Sequence, residues 1–160
     1  MEQTKSITQE QINALIEKTL IKKIAYETAL ADYQNAENDE KIAENMAIIE
    51  YNKQYNTNFE NDLELYENNE KDFDKYLTIL QKSFANLGIS VAYNETYSHK
   101  FLVAKIKAEK ELLLTSCEFL ELYGKKEESE LFRGLLNSYM KEEYKQKLHS
   151  LINKFLGLAE

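Results

Sequence analysis

The sequence predicts an all-α fold, an antiparallel bundle of four long helices with a shorter crossover helix. Three observations predict it. The 160 residues contain no proline and only 4 glycines, so almost nothing interrupts a helix. Charged residues make up 30 % of the chain, mostly Glu and Lys interleaved with Leu, as in amphipathic helices. Apolar residues recur by three and four over long stretches, and only residues 89–97 carry a hint of strand periodicity. The length suits a single domain, residues 1–160, with one core.

In chain order, the first helix opens after a polar start. Ser6 or Thr8 can cap it, and Thr8 with Gln11 resembles a capping box. Ile12, Leu15, Ile16, Leu20, Ile24 and Leu30 give it an apolar face as far as about Tyr33. Residues 35–38 (Asn-Ala-Glu-Asn) are the first turn candidate, with Asn38 or Asp39 capping a second helix that buries Ile42, Met46 and Ile49. The signal weakens around residues 55–59, where Thr57 and Glu60 form a second capping-box pattern. From Leu63 to Leu87 a seam of Leu, Tyr and Phe is broken only by Glu70, and Gly88 ends it. This seam is the expected crossover, with surplus apolar surface for self-association. Residues 89–97 read as a connector into a helix capped by Asn94, Thr96 or Ser98 and ending at Gly124. The last helix is predicted over residues 127–155, with Gly134 inside it as a candidate close helix contact.

Charge and composition exclude several classes. A net charge of −8 with only short basic runs argues against nucleic-acid binding. No apolar run approaches the roughly 20 residues that cross a bilayer. The polar start has no secretory apolar segment and Cys117 has no second cysteine to pair with, so the cytoplasm is the expected location. Glycine-rich phosphate loops, paired-cysteine zinc spacing and nucleophile elbows do not occur.

Chemistry in this chain centres on carboxylates that interrupt apolar stripes. Leu102, Ile106, Leu113, Cys117 and Leu120 form one stripe, interrupted by Glu109. Leu131, Leu135, Ile152 and Leu156 form the next, interrupted by Ser138, Glu142 and His149. In a hairpin hinged at residues 124–128, Glu109 and Glu142 stand equally far from the turn and would face each other. Glu17 and Glu50 have the same separation around the first predicted turn, and a lysine follows each second glutamate by three residues, Lys53 and Lys145. His149 lies about 10 Å along the helix from Glu142, too far to be its i+3 partner.

The C-terminal hairpin resembles the ferritin-like, rubrerythrin-type helix pair. Ala108 and Glu109, Gly124, Leu131 and Phe132, and Glu142 carry the resemblance over about a third of the chain. It implies a four-helix bundle and, with Glu17, Glu50, Glu109 and Glu142 as metal ligands, a di-metal carboxylate centre holding iron or manganese. The histidine of the family's Glu-x-x-His is Lys145 here, and a charged ammonium cannot ligate a metal. The resemblance therefore favours the fold over the di-iron activity. Lysines could instead compensate the carboxylates in a metal-free polar core. The leading expectation is a non-enzymatic interaction or scaffold protein working through its helical faces, with a protein partner or a second copy. A di-metal oxidase, peroxidase or metal store is the alternative, and a small-ligand sensor with a pocket between helices is the third. The tyrosines and Cys117 are expected to serve packing.

Overall fold

In a computed structural model the described residues are 8–92 and 96–157, and among them the protein is all helical, with no strand. The predicted all-α class holds, but the boundaries of its helices differ. The helices are α1 (Gln9–Tyr55), α2 (Asp62–Asn68), α3 (Phe73–Asn86), α4 (His99–Leu122), α5 (Lys126–Asn137) and α6 (Glu142–Phe155), with a 3-10 turn at Glu70–Asp72. Contacts divide the chain into two compact units: residues 1–30 with 104–160, and residues 31–103.

The first predicted turn does not form. α1 runs 47 residues through residues 35–38 without a break. Asparagine costs a helix only a few tenths of a kcal/mol relative to the better formers, and neither glycine nor proline is present to stop the chain. Burial of Ala36, Ala43 and Ala47 against their neighbours outweighs that cost. The helix starts at the predicted capping box: Gln11 N donates to Thr8 Oγ1 at 3.1 Å and Thr8 N donates to Gln11 Oε1 at 2.9 Å. It ends at Asn56, whose φ of 52° lets Thr57 N reach back to Asn52 O at 3.1 Å. The Asn52 side chain then ties down the turn, accepting from Phe59 N and donating to Phe59 O.

In the unit of residues 31–103, α3 lies antiparallel to the second half of α1. Tyr76 and Ile79 pack with Ala47, Ile48 and Tyr51, while Phe84 packs with Ala43 and Val91. The expected buried face of α1 is corrected here. Ile42 and Ile49 are exposed, and the small Ala43 and Ala47 face inward, where large aromatics from α3 fill the space. The seam from Leu63 to Leu87 is not one helix either. Asn61 rather than Thr57 caps α2, accepting from Glu64 N at 2.8 Å, and the chain breaks again at Asn69, just before Glu70. Gly88 ends α3 as predicted: Ile89 N bonds Phe84 O and Gly88 N bonds Ala85 O, the paired bonds of a left-handed cap with φ +80°. Asn94 lies outside the described residues.

In the other unit, ion pairs Lys18–Glu118 and Lys22–Glu111 show the start of α1 running antiparallel to α4. Gly124 terminates α4 with the same paired bonds as Gly88, and α5 turns back. The predicted helix over residues 127–155 is broken. Ser138 turns its hydroxyl onto Gly134 O at 3.0 Å, the backbone leaves the helical region, and Met140 inserts beside Leu112, Leu113, Leu148 and Ile152. The core thus gains a large side chain at the cost of a few helical hydrogen bonds. Gly134 marks no close contact, since a Cβ there would meet open space. Because of the break α6 runs parallel to α4: Glu109 meets His149, and Phe119 stacks on Phe155 at 4.2 Å.

Candidate functional site

That change of direction decides which groups meet Glu109. Two antiparallel helices would pair it with Glu142; two parallel ones pair it with residues further along α6. Glu142 becomes the first residue of α6, with its side chain 72 % exposed. A carboxylate there suits the positive end of the helix dipole and needs no buried partner. The expected Glu109–Glu142 pair is therefore corrected to Glu109 with His149 and Lys145.

Glu109 is buried, with a side chain only 10 % exposed, and it is well supplied with donors. His149 Nε2 stands 3.0 Å from Oε2, and Lys145 Nζ stands 3.7 Å from Oε1. The Tyr26 hydroxyl approaches the same carboxylate from α1, and its ring lies 5.3 Å from the His149 ring. The His149 hydrogen bond, followed by the nearby Lys145 charge, holds the Glu109 carboxyl below its usual value despite the opposing effect of burial. An ionised carboxylate only accepts, so the His149 Nε2 carries the hydrogen. Burial first, and then the Glu109 charge and hydrogen bond, push the Tyr26 hydroxyl up to about 12. Tyr26 therefore stays a donor throughout the physiological range.

The four predicted metal ligands do not come together. Glu17 and Glu50 belong to one continuous helix rather than to two arms of a hairpin, and both are exposed. Glu50 accepts from Gln54 one turn away. Among the described residues, no three His, Cys, Asp or Glu side chains are grouped to hold a metal ion. Around Glu109 an ammonium, an imidazole N–H and a phenol already direct hydrogens at the carboxylate. Those donors do not fit a di-metal centre, which needs free oxygens and imidazole lone pairs. Lys53 is exposed, and Lys145 reaches both Glu109 and, at 4.0 Å, Glu142. His99 is exposed at the start of α4, and Cys117 is buried, its thiol raised by burial, as suits a packing residue.

Two contributors lay outside the sequence argument. Tyr26 was visible only as one of many tyrosines, and its role depends on α1 pairing with α4. His149 was measured against Glu142 on its own helix, although its partner lies on the neighbouring one. Comparison of the chain with protein-family models, with curated proteins and with solved structures found no match.

Chemically, the cluster is a polar lock. It joins α1, α4 and α6 around one ionised carboxylate that is hydrogen-bonded to His149 and faces the Lys145 ammonium and the Tyr26 phenol. A carboxylate so engaged is a poor base, and Lys145 keeps its ammonium within ion-pair distance of two glutamates.

Proposed function

We propose that the protein is a non-enzymatic helical interaction module that binds another helix through an exposed face of α1. The observation that supports this is the exposure of Leu20, Ile21 and Ile24. These large apolar side chains lie close together on one helix, and Ile21 and Ile24 are 60 % and 63 % exposed. Single exposed apolar residues are ordinary, but neighbours at one- and four-residue spacing form a continuous strip. Strips of that kind dock amphipathic helices, with the i, i+3 and i+4 side chains as anchors. The net charge of −8 favours a partner with basic flanks over one that is acidic throughout. The cluster around Glu109 serves this reading as a rigid support, holding α1 in place from beneath.

A photo-crosslinking residue placed at Leu20, with a control at the exposed Glu17, tests the reading alongside sedimentation at micromolar concentration. The expected result is a defined adduct from position 20 and none from position 17. Ile21→Glu with Ile24→Glu should abolish both the adduct and any self-association without changing helix content. Association or adducts that ignore the double substitution would overturn the reading.

A further inference from the structure

α1 buries Ala36, Ala43, Ala47 and Tyr51 within its own chain. On its other side, stepping by three and four from Ile21 to Ile49, every position is exposed. That is a seven-residue repeat held over four heptads, the spacing at which two helices coil around each other. Its apolar members do not end with Ile21 and Ile24. Ile42 and Ile49 extend the strip at 48 % and 68 % exposure. Between the two isoleucine pairs the repeat holds Thr28, Ala31, Asn35, Asn38 and, before Ile49, Asn45.

A purely apolar helix laid along this seam would bury Thr28, Asn35, Asn38 and Asn45 without partners, at a cost for each. A second α1 running the opposite way avoids that cost. With a two-fold axis level with residues 36 and 37, Ile24 meets Ile49 of the second copy, and Ile42 meets its Ala31. In the same register Asn35 meets Asn38 and Thr28 meets Asn45. Apolar layers thus face apolar layers, and polar layers face polar ones. An asparagine amide both donates and accepts, so such layers satisfy themselves and fix the register. Sliding the second helix by one heptad sets Ile21 or Ile42 against an asparagine. Ile21 lies beyond the last matched layer at each end.

Charge sets the direction. Residues 37–50 hold five acids and one lysine, whereas residues 18–25 hold three lysines and no acid. Those lysines already pair with Glu118, Glu111 and Glu27, so their end of α1 is neutralised. A parallel pair would lay the two acidic segments side by side. An antiparallel pair keeps them apart and sets each along the lysine-bearing end of the other copy. We infer that the helix received by the α1 face is α1 of a second copy, paired antiparallel about residues 36 and 37. This rests on α1 being a docking face, as proposed above. The seam is about 42 Å long and a helix about 10 Å wide, near the lower end of the area that holds a specific pair. The dimer is therefore a reversible one that dissociates on dilution.

Cysteines placed singly at positions 24 and 49 of the full chain, with a short thiol-reactive linker, test the pairing. The native Cys117 is buried and stays out of a surface reaction. Mixing Ile24→Cys with Ile49→Cys should give a cross-linked dimer. Neither variant alone should, because like positions of the two copies lie about 37 Å apart along the helices. Ile42→Glu, far from Ile21 and Ile24, should weaken the dimer about tenfold or more in sedimentation, since the two-fold axis counts it twice. Its helix content should not change. Cross-linking of Ile24→Cys with itself would overturn the inference in favour of a parallel pair. Monomer at every concentration, or a dimer indifferent to Ile42→Glu, would overturn it as well. Failure of the docking face itself looks different. A position-20 adduct with another protein, lost in the Ile21→Glu, Ile24→Glu variant, would keep that face and remove the second copy. Neither dimer nor adduct would remove both.

Discussion

Glu109 and Glu44 are both glutamates on inner helix faces, one in each compact unit, and their surroundings drive them in opposite directions. Glu109 is the more buried, yet its carboxyl is held low because an imidazole N–H, an ammonium and a phenol converge on it. Glu44 is half-buried, and its carboxyl is pushed up, first by that burial and then by the neighbouring Asp62, with no donor to reverse the effect. Burial alone does not set the sign of a shift; the donors within reach do. The same contrast holds for the tyrosines beside them. Tyr26 faces the Glu109 carboxylate, whereas the Tyr76 hydroxyl is buried without a partner among the described residues.

The largest expected effect comes from removing Glu109. Glu109→Ala leaves Lys145, His149 and Tyr26 directing their donors at a small void. It should cost about 3 kcal/mol or more in chemical denaturation, as breaking a buried charge pair does. A loss below about 1 kcal/mol would mean that water already satisfies the cluster. The pH dependence sharpens the contrast. The Glu109 value is depressed in the folded protein, so its contribution is present above about pH 4.5 and lost as the pH falls through the folded value. Amides of α6 should therefore lose protection on acidification, and Glu109→Gln should remove most of that dependence.

How much of this was legible in the sequence follows from what kind of signal each feature leaves. Helix content and the glycine caps at Gly88 and Gly124 were legible because they rest on local propensity and on a backbone conformation that glycine adopts cheaply. The inward position of Glu109 was legible from its place in the Leu102–Leu120 stripe. The continuity of α1 and the break before Met140 were not, because each is decided by tertiary packing that outweighs small local preferences. That break reversed the direction of α6, and every pairing derived from an unbroken hairpin changed with it. Glu142 moved into solvent and His149 moved in. Ile42 and Ile49 were misplaced for a related reason: hydrophobicity ranked them above Ala43 and Ala47, but large aromatic neighbours select small partners.

Next in size is the tyrosine pair. Tyr26→Phe deletes a donor to an ionised carboxylate and should cost about 1.5 kcal/mol. Tyr76→Phe deletes a buried hydroxyl that lacks a partner, so it should be neutral or stabilising by about 1 kcal/mol. Unfolding of the two variants under one set of conditions measures the difference directly. Equal losses would place an ordered partner on Tyr76 and weaken the contrast between the units.

The smallest expected effects separate Lys145 from Glu142. Lys145 Nζ is 3.7 Å from Glu109 and 4.0 Å from Glu142, beyond hydrogen-bond length in both cases, and its side chain is 29 % exposed. Its attraction to Glu109 is therefore screened, and His149 and Tyr26 remain to hold the carboxylate. Lys145→Met should cost about 1 kcal/mol, less than a fully buried pair would, and the loss should shrink as salt is added. Glu142→Gln removes only the exposed end of that network and should change stability by less than about 0.5 kcal/mol. The double variant isolates the coupling. If Lys145 acts through Glu109, the two losses add; if it acts through Glu142, the second substitution costs nothing once the first is made. Denaturation of the four proteins at low and high salt measures this coupling. Because methionine keeps the apolar stem, a Lys145→Met loss that survives high salt would show that the pair with Glu109 is shielded from the screening ions.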